Sequence, residues 1–456
     1  MNFFKLGAQF AGILLCTGSV FASTDGALIL ERANRNENIY SGGELVSHLR
    51  GNVVFRYEDI RISSDEATWW RNKDRVHFRR KVKVERGGDI ITCDRLNFER
   101  EKNLLTARGS FFYRDSAEVT SLRGNEADYA VDKKTFIVRG NPRLVRKDST
   151  DTDTLFISGR VMAYDDSLKI ATVTDSVRIA RGSLVAFCQK AEYFANTNMA
   201  HLRISPEIFY DTHRVTGDSI DLQFGGESLE SARVVGSSHG RYTDASASSG
   251  NTSVTYIWSD SLFMTMSDSG QLDAMRAFGR VRGQHAAASP SSSDTSVTHI
   301  WSDSLLLTMS DSGRVDAIRA YGKVHGRYAE VSSTSKDTSI THIWSDSLFV
   351  ATSDVGRLDS MQAFGRVISR YFAQGDSLRA NEVSGRTMTL RFGENGKVEK
   401  AFIRGNAKSI YYIGESDGGG RNEASGEQII VTFALGRARL LHLRGNARGI
   451  YFPNTN

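Results

Sequence analysis

Three near-copies of one stretch limit what this chain can fold into. They run from Tyr256 to Val281, from His299 to Val324 and from His342 to Val367. The tryptophans Trp258, Trp301 and Trp344 recur every 43 residues. A fixed period of that size marks a repeat architecture, in which each unit buries its apolar face against its neighbours.

Inside the unit the pattern is that of a strand. Trp258, Leu262, Met264 and Met266 fall on one parity, and Ser259, Ser261, Thr265 and Ser267 on the other. Period two predicts one buried and one wet face. Ser267-Asp-Ser-Gly270 supplies turn chemistry, because glycine adopts positive φ without a Cβ clash. Beyond it Met275, Ala277 and Val281 share a parity, with Asp273 on it near the turn. The unit is predicted to be a hairpin with an apolar face.

A weaker form of the unit reaches the C-terminus. Gly270 and Gly279 are nine apart, as are Gly313 and Gly322, Gly356 and Gly365, Gly396 and Gly405, and Gly436 and Gly445. Two residues before the second glycine stand Ala277, Ala320, Ala363, Ile403 and Leu443; four before it stand Met275, Ile318, Met361, Ala401 and Leu441. All are apolar, so the face persists while other letters drift.

Before residue 244 a related element recurs about every 30 residues: Asp65-Glu-Ala-Thr-Trp69, Asp94-Arg-Leu-Asn-Phe98, Glu126-Ala-Asp-Tyr129, Lys190-Ala-Glu-Tyr193 and Asp218-Ser-Ile-Asp-Leu222. Turns such as Arg71-Asn-Lys-Asp74 and Glu99-Arg-Glu-Lys-Asn103 follow. These read as successive hairpins along one axis. The longer copies add Ser-rich stretches at 245–250, 286–294 and 332–336, read as flexible loops on one edge of the stack. The expected organisation is a leader over 1–22, one set of β repeats over 23–243, and a second set over 244–456 continuing the same stack.

Only four prolines occur, which suits long hydrogen-bonded ladders. The net charge of +5 is spread along the chain with no basic block, which argues against a nucleic-acid partner. Lys5, the apolar run Leu6–Val20 and the small residues around Phe21-Ala22 predict a secretory leader cleaved after Ala22. Cys93 and Cys188 precede comparable strands about three repeats apart. Stacked strands at ~4.8 Å put such positions beyond the roughly 7 Å that a disulfide spans, so both are expected as free structural thiols.

No constellation of catalytic residues stands out. The ten histidines form no His-x-x-x-His or His-Glu-x-x-His pattern. The Ser-Asp-Ser pairs at 259–261 and 267–269 lack the calcium β-roll nonapeptide and the EF-hand glutamate, and read as wet-face and turn residues. No nucleophile elbow, phosphate loop or dinucleotide fingerprint stands in its required context. Neither cofactor nor metal is expected. What remains is the apolar stripe, compatible with a filled solenoid core or with an open groove lined by adaptable Met and aromatic side chains.

The recurring Leu49-Arg-Gly-Asn-Val53, Val138-Arg-Gly-Asn141, Ile403-Arg-Gly-Asn-Ala407 and Leu443-Arg-Gly-Asn-Ala447, with partners such as Asn125-Glu-Ala-Asp-Tyr129, resemble the OstA-like (LptA-like) family of lipopolysaccharide-transport proteins. The resemblance implies an all-β, elongated β-jellyroll with two antiparallel sheets meeting in a V, a solenoid-like stack of hairpins. It implies lipid chains held between the sheets, a periplasmic location, and end-to-end joining with itself or with transport components at the inner and outer membranes. On this pattern the groove candidates are Val53, Phe55, Leu105, Phe111, Phe136, Val138, Trp258, Leu262, Met264, Met266, Met275, Leu305, Leu307, Ile318, Leu348, Met361, Ile403 and Leu443. The function so implied is non-enzymatic lipopolysaccharide binding and transport. The alternatives are a structural or adhesive β-solenoid with a filled core and no lipid, and, more remotely, a carbohydrate-active β-helix.

Overall fold

The computed structural model describes residues 26–453, apart from 118, 148–153, 226–227, 246–251, 289–294, 312, 332–337, 354–357, 373–379, 394–396, 414–418 and 435–436. The expected leader and most of the Ser-rich loops lie outside the described residues. Among the described residues thirty strands form one antiparallel sheet, with two short 3-10 turns at Arg71–Lys73 and Arg100–Lys102. Asp74 and Asn103, which follow them, take left-handed φ of 45° and 48°.

The repeat unit is the expected hairpin. Strand β20 (Thr252–Met266) turns at Ser267–Gly270 and returns as β21 (Leu272–Ala288). The turn is closed by the Gly270 amide on the Ser267 carbonyl at 2.8 Å and the Ser267 amide on the Gln271 carbonyl at 2.7 Å. Each long strand also bends once in its middle. Between Phe278 and Val281 the residues Gly279 and Arg280 take φ of 76° and 46°, opposite the single residue Asp260 of β20. This is a β-bulge used as a corner, with two residues against one. The Arg-Gly-Asn motif is the same corner elsewhere: Gly51-Asn52, Gly140-Asn141, Gly405-Asn406 and Gly445-Asn446 all have positive φ. Glycine enters that region at no steric cost, and asparagine tolerates it through local hydrogen bonding.

The corners divide the sheet into two walls that face each other. The first wall contains segments such as Ser261–Met266 and Leu272–Phe278, the second Thr252–Ser259 and Val281–Ala288. The two sheets of the expected V are therefore halves of one hydrogen-bonded network. In places the corner breaks and a full strand becomes two short ones, as with β9 (Thr135–Arg139) and β10 (Arg143–Lys147), both paired with β8 (Thr120–Ala130). Strand β19 (Leu229–Ala245) crosses 243/244 without interruption. The longer period has a simple origin: 11-residue strands such as β4 (Ile60–Trp70) give way to the 15 and 17 residues of β20 and β21.

Inward side chains of both walls merge into one apolar cluster, from Leu49 to Val431. Phe55 packs edge-on to Phe78 at 5.4 Å, and Tyr129 stacks on Phe136 at 4.3 Å. The mouth of the V, opposite the corners, is closed over much of its length by hydrogen bonds between the walls. Tyr57 donates to Asn103 Oδ1 at 2.6 Å, and Arg86 Nη1 to the Val131 carbonyl at 3.0 Å. Tyr210 and Tyr242 donate to the carbonyls of Gly270 and Gly313 in turns of the first wall.

Parity along the strand requires one correction. The strand with the two-residue corner keeps its inward parity, so Met275, Ala277 and Val281 are all buried. The strand with the single Asp260 does not. Its inward residues are Thr255, Ile257 and Ser259 before the corner, and Leu262 and Met264 after it. Trp258 is thus on the outer face, opposite to Leu262, Met264 and Met266. Asp273 also points out, because a second register shift between Thr265 and Met266 turns Leu272 inward instead.

Candidate functional site

The walls part near the C-terminal end. Strands β25 (Leu358–Phe372), β26 (Ala380–Phe392), β27 (Val398–Ile413) and β28 (Gly420–Ala434) alternate there, and β29 (Arg437–Arg444) ends the first wall. Between them lies a cleft of about 290 Å³. Period-two alternation in Thr387-Met-Thr-Leu-Arg-Phe392 sends Met388 and Leu390 inward as its floor, joined by Ala401 and Val431 of the neighbouring strands. Val398, Phe433 and Leu441 line it towards the mouth.

The opposite side is more polar. Tyr371 of β25, Asn381 of β26, Tyr411 of β27 and Asn422 of β28 form one inward row near the open edge. The same row continues back along the stack through Thr341, Tyr328, Thr298, His285 and Thr255 to Tyr242. In the cleft it places hydroxyl and amide groups at the border between apolar floor and solvent. The lining also includes Lys397 and Arg439. The described lining holds no carboxylate, imidazole or thiol. Such a surface can bury a hydrocarbon chain while offering donors and positive charge to a polar end.

None of the sequence-derived groove candidates lines this cleft. Val53, Phe55, Leu105, Phe111, Phe136 and Val138 are at most 2% exposed, inside the closed part of the stack. Leu262, Met264, Met275, Leu305, Leu307, Ile318, Leu348, Met361 and Ile403 are likewise buried between the walls. Met266 and Leu443 are partly buried against that core, and Trp258 is outside it. The recurrent apolar positions do include two cleft residues, Ala401 and Leu441. The alternation through Met388 and Leu390 was a further signal that sequence reasoning left unused.

Cys93 and Cys188 are both free and buried, as expected. Among the described residues no group of three His, Cys, Asp or Glu side chains could hold a metal ion. No helix among them is long and apolar enough to cross a membrane.

No family model matches this chain, and no curated protein does. Among solved structures it is similar to LptH of Pseudomonas aeruginosa, described as the LptA-homologous periplasmic component of the lipopolysaccharide transport device. The identity is 13% and the TM-score 0.19, over 32% of this chain and 82% of that one. A likeness at that score says nothing of ligand, partner or location.

Proposed function

We propose that this protein is a non-enzymatic periplasmic carrier that holds an acyl chain of lipopolysaccharide in its C-terminal cleft and passes it towards the outer membrane with other transport components. The observation that supports this reading is the cleft itself. Its floor of Met388, Leu390, Ala401 and Val431 is apolar, it opens between two walls, and its lining adds the basic residues Lys397 and Arg439. Each methylene buried there contributes about 0.8 kcal/mol, and lysine and arginine complement the phosphates of an anionic head. The Arg-Gly-Asn corners agree with the resemblance drawn from the sequence.

Tight burial between the walls from Leu49 to Val367 favours a rival for that part of the molecule, a filled structural solenoid. In the carrier reading only the last hairpins take lipid. Native mass spectrometry of the purified protein, with and without added lipopolysaccharide, separates the two. The carrier retains lipid, and Leu441→Asp at the cleft removes it while the fold measured by circular dichroism persists. A well-folded protein without lipid under every condition, or undiminished binding by the variant, would refute the carrier.

A further inference from the structure

The outer face of the second wall carries a line of rings and cations that the cleft does not use. Trp258 lies in register with His239 on one side and Arg282 on the other; Trp301 lies between Arg282 and His325, which in turn faces Trp344. The ring planes are nearly parallel. His239 and Trp258 are 5.1 Å apart at 6°, Trp301 and His325 4.9 Å at 17°, and His325 and Trp344 5.0 Å at 1°. The Arg282 guanidinium lies 5.1 Å from the Trp258 ring centre. A second line, nearer the mouth, includes Arg241, Tyr256, His299, Arg327 and His342.

This face is short of negative charge. Neither line carries a carboxylate between His239 and Trp344. The nearest acid row is at the corner, where Asp260 is already held by Arg280 at 2.6 Å. Arg241, Arg282 and Arg327 have no carboxylate partner among the described residues. Cross-strand stacking accounts for the rings. It does not by itself account for Arg241, Arg282 and Arg327 standing on this face without a carboxylate opposite them.

We propose that this face binds an anionic polysaccharide laid across the strands. The tryptophans stand on every second strand, about 10 Å apart at two strand spacings. That interval matches the rise of a disaccharide in an extended polysaccharide. An extended peptide repeats its side chains on one face every ~6.8 Å, and the phosphates of one DNA strand rise by ~3.4 Å. The stacked rings form a rigid floor, and the guanidinium groups pair with one acid per disaccharide. The face lies on the opposite side of the wall from the cleft, so the proposal stands or falls independently of lipid carriage.

The test is binding of the full chain to polygalacturonate, with neutral dextran, duplex DNA and anionic vesicles as comparators. The wild type should bind polygalacturonate and not dextran. Arg282→Ser with Arg327→Ser should weaken binding roughly tenfold or more, as expected for lost charge-assisted hydrogen bonds. Arg276→Ser with Arg319→Ser, on the outer face of the first wall, should leave it unchanged. Both pairs are outward-facing, and circular dichroism checks that each variant is folded. Absence of binding by the wild type, an equal loss in both pairs, or equally tight binding of DNA or vesicles would overturn the proposal.

Discussion

Tyr113 donates its hydroxyl to Asp166 Oδ1 at 2.8 Å, and the two residues come from opposite walls. The bond spans the mouth of the V where the core behind it is densely filled. Burial, with the Asp166 carboxylate second, pushes the Tyr113 phenol well above its ordinary value, so it remains a donor at any physiological pH. Lys169 also donates to Asp166 Oδ1, at 2.6 Å. Tyr113→Phe should therefore cost about 1 kcal/mol, the net worth of one hydrogen bond. Asp166→Ala should cost more, because it leaves a buried hydroxyl and an ammonium without their acceptor. In a stack of repeats the loss is local. Hydrogen exchange should rise in β7 (Leu104–Arg114) and β12 (Val161–Asp165) and stay level in β27. A uniform rise along the chain would argue against a local clasp.

The corner makes a sharper demand on one residue type. Gly279 has φ of 76°, and a Cβ placed there would come within 2.4 Å of Asp260 Oδ2. Gly279→Ala adds left-handed strain of about 1–2 kcal/mol to that collision. The melting temperature should fall, and Asp260→Ser in the same chain should restore part of the loss by shortening the opposing side chain. The equivalent pairs Gly322 with Asp303 and Gly365 with Asp346 should behave alike, with contacts of 2.4 and 2.1 Å. If Gly279→Ala melts like the wild type, the corner is not steric in origin.

These corners mark how much of the molecule is legible in its sequence. The hairpins follow from alternation and Ser-Asp-Ser-Gly turns; of the glycines nine apart, Gly270 and Gly313 lie in turns, and Gly279, Gly322, Gly365, Gly405 and Gly445 at corners. The inversion at Asp260 is not visible as a break, because Trp258 and Leu262 are both large, apolar and an even number of residues apart. The single-residue corner at Asp260 shifts the inward parity by one, which sends Trp258 out and keeps Leu262 in. The cleft is hidden for another reason. Met388 and Leu390 are the same kinds of residue that fill the core at Met264 and Leu307. Whether such residues meet the opposite wall or border a cavity depends on how far the walls part, a long-range property that period-two alternation does not encode.

Acid should weaken the second wall. His285 replaces, in the inward row, the tyrosine found at 242 and 328, and its Nδ1 lies 2.9 Å from Thr255 Oγ1 while Nε2 has no partner. Burial pulls its pKa down from 6.5 to about 4. Above about pH 6.5 both folded and unfolded chains hold it neutral, and it adds no pH dependence. Between 6.5 and 4 the unfolded chain takes up a proton that the folded one refuses, so stability falls as the pH drops and levels off below. His239, His299, His325 and His342 are shifted the same way, chiefly by burial. Urea midpoints should thus be lower at pH 5 than at pH 7.5. His285→Tyr should shrink that difference; an unchanged difference would assign it to the outer histidines alone.

The two thiols occupy a position that other rungs give to serine or, as at Gly124, Gly385 and Gly426, to glycine. Cys93 lies one residue before the corner residue Asp94, and its Sγ contacts the Arg95 carbonyl at 3.3 Å; Cys188 does the same with Lys190 at 3.2 Å. Ser64, Ser259 and Ser302 stand at the matching place and donate to the carbonyl two residues on, each at 2.9 Å. Burial pushes Cys93 up to about 12 and Cys188 to about 11. Because the thiolate is the reactive form, neither should be alkylated in the folded protein at pH 8, and both should react fully in denaturant. Cys93→Ser and Cys188→Ser should fold with little loss, since the hydroxyl makes the same bond at Ser64, Ser259 and Ser302. Rapid alkylation of the native chain would show that the corner opens; a large loss on either substitution would show that the apolar bulk of sulfur, rather than its hydrogen bond, holds the strand there.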